Sequence, residues 1–501
     1  MGALDLTTPL GLVASVLPES VLTVAALVVL LLGAWRHEGA ADSRRSGWAA
    51  LVSLLLGAGA VGYLWWSGAH SEGIGGMIGL DPYRYLASLL ILLAAAGTVL
   101  LSLGYVVREQ MVAPEYYPLL LFAVIGMLFM VAANDLIVIF LGLETMSMSV
   151  YVLAAYDRRS PASAEAGLKY FLVGAFASAF LLYGIALLYG ATGSTNLSLI
   201  GAQLGGGPLP MLGGFGLALL LIGFGFKVAA APFHMWAPDV YDGAPTPVTG
   251  FMATAVKAAA FLTLGRVLLV AFPDAGLNWK PILSVLAVAT MVFGNLVALV
   301  QRSLKRLLAW SSVAHAGYLL LALVPGTPFG VTSLQVYLFG YTLTTLVAFG
   351  ILAVLGSGGE RDVTLDDVAG LSQSRPLMAL ALTICMLSLL GFPGTLGFIG
   401  KWYIAYAIVA AGNTPLAVIL VLASVVSAGY YLPVIMAMYM RPARAPQVHW
   451  DVRLPRAGVL VVSVCVAGLL VFGFWPTPLL HLAATGAKAA TAVMTAAFSG
   501  H

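Results

Sequence analysis

Charged residues are scarce in this sequence: Asp, Glu, Lys and Arg make up only 9% of its 501 residues, against 61% for the apolar and aromatic class, and mean hydropathy is +1.00. A soluble domain of this length needs far more polar surface, so the composition excludes a water-soluble globular protein and requires a polytopic membrane protein. Cysteine is nearly absent. Cys385 and Cys465 sit in separate apolar runs, which excludes a disulfide framework and a thiolate metal site and leaves two small buried hydrophobes. Phosphate-binding glycine loops, nicotinamide fingerprints, histidine metal clusters and nucleophile elbows are all missing, so no cofactor or metal is expected on this chain, and nothing points to nucleic acid. The opening stretch MGALDLTTPLGLVASVLPES lacks the basic start of a secretory signal, so the first long apolar run, about Val21 to Trp35, reads as a retained span.

Apolar runs are what the chain has in abundance. A bilayer core of about 30 Å needs roughly 20 apolar residues as a helix, and cutting at the Gly, Pro and charged interruptions predicts about fourteen spans. They fall near 17–36, 48–66, 82–106, 116–133, 134–156, 167–190, 211–235, 245–271, 281–301, 306–324, 330–355, 375–396, 398–440 (the tail of one helix plus another) and 457–478. The loops after odd-numbered spans hold Arg36, Arg44, Arg45, Arg108, Arg158, Arg159, Arg302, Lys305, Arg306, Arg361, Arg375, Arg441, Arg444, Arg453 and Arg456, whereas those after even-numbered spans carry almost none. By the positive-inside bias these loops face the cytoplasm and both termini face the periplasm. One loop breaks the trend, since WAPDVYDGAPTPVTG carries Asp239 and Asp242 and no basic residue. The connections are too short for a soluble domain, and the two longest, GSGGERDVTLDDVAGLSQSRP and RPARAPQVHWDVRLPR, read as docking surfaces.

The few charges inside spans carry the functional signal. Glu144, Lys227, Lys257, His315 and Lys401 are placed well inside, with Lys169 nearer an end. Each such charge costs about 2.5–3.5 kcal/mol to insert, so the three lysines and the glutamate together cost on the order of 10 kcal/mol. Asp135 reads as the polar cap of the fifth span, which puts Glu144 roughly 13–14 Å into the core, and Pro247 as a first-turn proline puts Lys257 about 15 Å in. Lys227 lies in GFGFKVAAAPFHMWAP, where Pro232 removes a helical hydrogen bond. Lys401 lies in LSLLGFPGTLGFIGKWY, where Pro393 and four glycines make a straight helix improbable. A buried lysine beside a loosened backbone is the pattern of an ion-facing helix break. His315, between serines in LLAWSSVAHAGYLL, suits a packing hydrogen bond or a relay equally. Lys169 follows Glu165 by four residues, the spacing of a surface ion pair. Burial disfavours charge and an opposite neighbour restores it, so buried lysines with a glutamate can exchange protons, the glutamate acting as an electrostatic switch on Lys227.

At these residues the chain resembles the antiporter-like membrane subunits of proton-pumping NADH:quinone oxidoreductase (respiratory complex I) and their relatives in multisubunit cation/proton antiporters. The matching stretches are FLGLETMSMSVYVL, AGLKYFLVGAFASAFLLYGIALLYG, GFKVAAAPFHMWAPDVYDGAPTPVTGF, KRLLAWSSVAHAGY and GFPGTLGFIGKWY, within residues 116–410. The resemblance implies an all-α fold of about fourteen transmembrane helices with two inverted five-helix repeats, each with a broken helix. On it, 1–115 hold helices 1–3, 116–271 the first repeat, 281–440 the second and 441–501 helix 14. It further implies a proton relay through Glu144, Lys227, Lys257 and Lys401, in a bacterial inner membrane and beside neighbouring antiporter-like subunits. FMN, iron–sulfur clusters and quinone are then expected on partner subunits. Lysine at both 257 and 401 resembles the N branch of that family. A sodium/proton antiporter subunit and a non-conducting scaffold are the competing readings.

Overall fold

Polar caps and prolines punctuate the apolar runs where the spans begin. Asp81 accepts from the Arg84 N–H at 2.7 Å with Pro82 in the first turn, Asp135 accepts from the N–H of Ile137 at 2.8 Å, and Ser160, Ser303, Thr327 and Thr395 cap in the same way. In the computed structural model the described residues are 9–35, 39–68, 71–73, 76–111, 114–205, 209–273, 279–356, 358–442 and 454–498. Arg36, Arg444 and Arg453 of the basic loops lie outside them.

The spans are Leu17–Trp35, Ala40–Trp66, Pro82–Arg108, Tyr116–Ala132, Leu136–Ala154 and Pro161–Thr192, then a broken seventh of Met211–Lys227 and Trp236–Gly243. Thr246–Ala271, Trp279–Ala298, Leu304–Leu323 and Pro328–Leu355 follow, then a broken twelfth of Pro376–Leu390 and Leu396–Ala410, then Thr414–Met440 and Arg456–Phe474. Eleven of these helices are long and apolar enough to cross a bilayer unaided; the fourth span and the pieces of the two broken ones are shorter. This is an all-α polytopic membrane fold whose only described strands form a short antiparallel pair, Ser71–Gly73 with Ile78–Leu80, between the second and third spans. After the fourteenth span a further helix, Thr477–Phe498, returns to the bundle, where Gly486 abuts Tyr83 and Gln335.

A structural repeat is visible in the way spans meet. Asp135, which opens the fifth span, bridges Asn196, and the Leu136 N–H donates to the Thr195 carbonyl at 2.9 Å. Ser303, which opens the tenth, bridges Thr364, and the Leu304 N–H donates to the Val363 carbonyl at 2.8 Å. The helix crossings correspond as well: a Cβ at Gly126 would meet the Met146 backbone, and one at Gly294 would meet the Ala314 backbone. The four correspondences, 135 with 303, 196 with 364, 126 with 294 and 146 with 314, keep one constant offset in sequence. The first junction lies at the end reached by the loops after even-numbered spans and the second at the opposite end, because an odd number of spans separates them. The repeat is therefore inverted.

The fourth and fifth spans cross at backbone contact, since a Cβ on Gly142 would lie 2.7 Å from the Gly126 carbonyl oxygen. Gly142→Val is expected to cost about 1–3 kcal/mol by overpacking, read as earlier thermal unfolding in detergent; unchanged melting would refute this account of the crossing.

Candidate functional site

Breaking the seventh span puts Lys227 at a helix end. The helix closes at Lys227, Ala229 takes a left-handed φ of 57°, and the Ala231 N–H leaves the helical pattern to donate to the Thr290 hydroxyl at 2.8 Å. The chain resumes as Trp236–Gly243, and the Trp236 indole N–H donates back to the Phe226 carbonyl at 2.9 Å, satisfying one acceptor the break exposes. The Lys227 ammonium donates to the Ser147 hydroxyl at 2.7 Å and to Tyr151 at 3.5 Å, and sits over the Tyr151 and Tyr170 rings at 5.2 and 5.3 Å.

Glu144 is one helical turn before Ser147 on the fifth span, and its carboxylate accepts from the Ser178 hydroxyl. It is half-buried, on a flank where Leu141 and Met148 are exposed. Glu144 and Lys227 do not form an ion pair; the ammonium is bonded instead to Ser147, one turn along the fifth span. From Lys227 an aromatic band leads inward: Tyr170 stacks on Trp236 at 4.3 Å, Trp236 meets Tyr241 edge-on at 5.9 Å, and Tyr241 faces Ser312 and Tyr341.

The tenth span carries the second half of the line on one stripe, at positions 312, 315 and 318. Lys257 donates to the Ser312 carbonyl at 2.6 Å and to the Ser312 hydroxyl, which also accepts from Tyr341 at 2.8 Å. A π-helical segment, Met252–Val256, immediately precedes Lys257 and shifts the helix register there. His315 is gripped on both nitrogens, Nε2 to the Tyr431 hydroxyl at 3.1 Å and Nδ1 to the Tyr337 hydroxyl at 2.5 Å, and Ser311 also bonds Tyr431. Tyr318 presents its ring to Lys401 at 4.6 Å.

Lys401 lies on the second half of the broken twelfth span and donates to the carbonyls of Leu389 and Leu390 at 2.9 and 3.0 Å. Those are orphan acceptors at the negative end of the first half-helix, which suit a cation. Gly391 ends that half-helix with φ of 90°, and a Cβ at Gly397 would fall 1.9 Å from the Ser388 carbonyl oxygen, so glycine is what lets the two halves overlap. The helix breaks near Pro232 and Pro393 thus serve different geometries: Lys227 closes the half before its break, whereas Lys401 caps across its own.

Lys257, His315 and Lys401 are brought together on one polar line, with Lys227 and Glu144 at its other end. Lys169 stands apart, exposed, in ion pairs with Glu165 at 2.6 Å and Asp239 at 3.2 Å. The acidic loop that broke the charge trend is accounted for by the same cluster, since Arg306 also pairs with Asp239 and Asp242 at 3.1 and 3.4 Å.

Among the described residues none of the three deep lysines is in an ion pair, whereas two buried arginines are. Arg84 pairs with Glu19 and Arg266 with Asp81. The sequence reading passed over these pairs, although an arginine inside a span never gives up its charge and must find a carboxylate. It also passed over the tyrosines at 151, 170, 241, 318, 337, 341 and 431, because nothing in an apolar helix marks which aromatic faces inward.

Residues 133–427 match the family model described as NADH:quinone oxidoreductase/Mrp antiporter, TM. The chain is 45% identical over 478 residues to NADH-quinone oxidoreductase subunit N of Trichlorobacter lovleyi, covering 94% of this chain and 96% of that one. It is likewise 45% identical to the same-named subunit of Gemmatimonas aurantiaca, covering 94% and 92%. Among solved structures it superposes on a chain of respiratory complex I from Thermus thermophilus with bound Aureothin, with a TM-score of 0.79, 38% identity and coverage of 93% and 99%. A chain of the Mrp complex from Dietzia sp. DQ12-45-1b shares the fold alone, with a TM-score of 0.85 at 21% identity and coverage of 97% and 99%. The chain therefore belongs to the N-subunit family of NADH-quinone oxidoreductase, the multi-pass, antiporter-like membrane subunits of a hetero-oligomeric translocase.

Proposed function

We propose that this chain moves protons across the membrane through Lys227, Lys257, His315 and Lys401, with Glu144 setting the proton affinity of Lys227 through Ser147. It does so within a proton-translocating NADH:quinone oxidoreductase whose FMN, iron–sulfur clusters and quinone belong to partner subunits. The observation that carries the reading is the contrast between the two kinds of buried cation. Each arginine donates to both oxygens of its carboxylate and is fixed and permanently charged. The lysines are held only by hydroxyls, carbonyls and rings, so each can release a proton without leaving a bare carboxylate behind. His315, held between two tyrosine hydroxyls, is the carrier between Lys257 and Lys401.

In this reading residues 116–271 and 281–440 are the two transport units, 1–115 and 441–501 their flanking helices. The loops after odd-numbered spans, rich in arginine and lysine, face the cytoplasm of a bacterial inner membrane, and the termini face the periplasm. Isolating the assembly through a tag on this chain is expected to bring flavin and iron–sulfur signals with it and, in proteoliposomes, NADH-driven proton uptake. An isolate free of both cofactors that exchanges sodium for protons would overturn this reading in favour of a stand-alone antiporter.

A further inference from the structure

We propose that Glu360 is the group that takes protons from water at the basic-rich end of the bundle and delivers them along the eighth span to Lys257. The proposal rests on the relay described above. Glu360 follows the eleventh span in a turn whose backbone is set by Gly358 and Gly359, at φ of 96° and 102°, and it adopts a left-handed φ of 54° itself. Few non-glycine residues do so, and here the conformation turns the side chain in under the first residue of the eighth span. The turn is anchored from below, because the Glu109 carboxylate accepts from the N–H groups of Gly358 and Gly359 at 3.3 and 2.9 Å.

The Glu360 carboxylate accepts from the Thr246 N–H at 2.9 Å and from the Thr246 hydroxyl at 2.7 Å. Lys305, at the start of the tenth span, donates to it at 3.1 Å and to the Ala244 carbonyl at 2.6 Å. The Tyr105 hydroxyl lies 3.3 Å from the same Thr246 nitrogen, and Asp242, Asp362, Arg306, Arg108 and Glu109 complete the charged surroundings. The Glu360 side chain keeps 17% of its surface exposed, so it touches water on one side and the helix end on the other. Burial pushes its carboxyl up to about 7, against the Thr246 N–H, which favours the charged form. Its proton affinity thus lies above that of a free carboxylate, and in its ionised form it pairs with Lys305.

Inward from Thr246 the route is hydroxylated. Thr249, one turn deeper and fully buried, donates to the Tyr241 carbonyl at 2.8 Å, and the Tyr241 side chain reaches Ser312, which holds Lys257. The helical rise from Thr246 to Lys257 is roughly 16 Å, so transfer along it needs water between these hydroxyls.

A merely structural Glu360 would be a helix cap and an ion pair, and Glu360→Gln keeps the cap acceptor while removing the proton. In the whole complex in proteoliposomes, E360Q is expected to slow proton uptake through this chain roughly 10²-fold, the low end for losing a proton-transfer group. It is also expected to abolish a carboxylic-acid carbonyl band that titrates near pH 7 in infrared pH-difference spectra. Glu360→Asp should keep pumping but displace its pH profile. Wild-type pumping in E360Q, an unaltered infrared band, or an unmoved profile in the aspartate variant would each overturn the proposal, and the aspartate variant decides if E360Q fails to assemble. Lys257→Ala run in parallel separates the two ideas: lost pumping there with normal pumping in E360Q sinks only the role of Glu360, whereas normal pumping in Lys257→Ala sinks the relay itself.

Discussion

Lys227→Ala is expected to leave the complex assembled but to slow the proton-transfer step it carries by at least roughly 10²-fold, the scale for losing a general acid–base group. The ammonium is held by Ser147 and Tyr151 and roofed by two tyrosine rings, so alanine removes a donor without stranding a carboxylate, and the hydroxyls left behind can bond water. Lys227→Arg is the sharper variant. It keeps the positive charge and the ring contacts but never releases a proton at physiological pH, so a relay fails while a static cation would survive. Pumping at the wild-type rate in the arginine variant would remove Lys227 from the path. Glu144→Ala is expected to fall in the same direction with Lys227 in place, because it removes a negative charge one helical turn from the Ser147 hydroxyl that holds the ammonium. Pumping is read as dye-monitored acidification of proteoliposomes during NADH oxidation, with electron transfer followed separately.

Arg84→Ala is expected to destabilise the chain by about 3–5 kcal/mol, the cost of stranding a buried charge. Arg84 and Glu19 are each only 1% exposed, and the Arg84 Nη2 donates to both carboxylate oxygens, at 2.9 and 3.0 Å. The same guanidinium donates to the Ser15 carbonyl at 2.9 Å and the Gly79 carbonyl at 3.3 Å, so one side chain ties the first span and the strand pair to the third span. The neighbouring pair of Arg266 with Asp81 ties the eighth span to the same cap, since Asp81 also accepts from the Arg84 N–H. Alanine at 84 leaves the Glu19 carboxylate dry. The double variant Glu19→Leu/Arg84→Met, apolar on both sides, is expected to recover most of the loss. Thermal unfolding of the purified complex and its yield from membranes report both, and a single variant as stable as wild type would show that the pair is not a structural lock.

Much of the site could be read from residue types alone. An ionisable side chain in the middle of an apolar run has few neutral explanations, and Glu144, Lys227, Lys257 and Lys401 stand out because each costs free energy there that packing cannot return. The breaks were legible too, since proline and glycine act locally, through a missing N–H and a freed φ: Gly391 caps the end of one helix, and Pro232 lies five residues beyond Lys227, where the other stops. Arg84, Arg266 and Glu360 were not, and the reason differs for each. The two arginines sit near the ends of apolar runs, where loop charges are ordinary, and only long-range packing seals them from water with Glu19 and Asp81. Glu360 lies in a loop that reads as solvent-exposed. What buries it is the start of the eighth span, distant in sequence.

The membrane setting, the number and approximate limits of the spans, and the four central charges Glu144, Lys227, Lys257 and Lys401 were determined by the sequence by itself, because hydropathy, proline and capping chemistry act within a few residues. Which partner each charge received was decided only by the tertiary structure. Lys227 took the Ser147 hydroxyl, Lys401 the orphan carbonyls of its own broken helix, His315 two tyrosines and Arg84 the carboxylate of Glu19, pairings that join helices far apart in the chain. A hydrogen bond or ion pair depends on position to within a fraction of an ångström, and in lipid that position is set by which helices meet at glycine and at what angle. The sequence names the central charges, but whether a buried cation is locked to a carboxylate or held by hydroxyls and carbonyls alone depends on the partner that packing sets beside it.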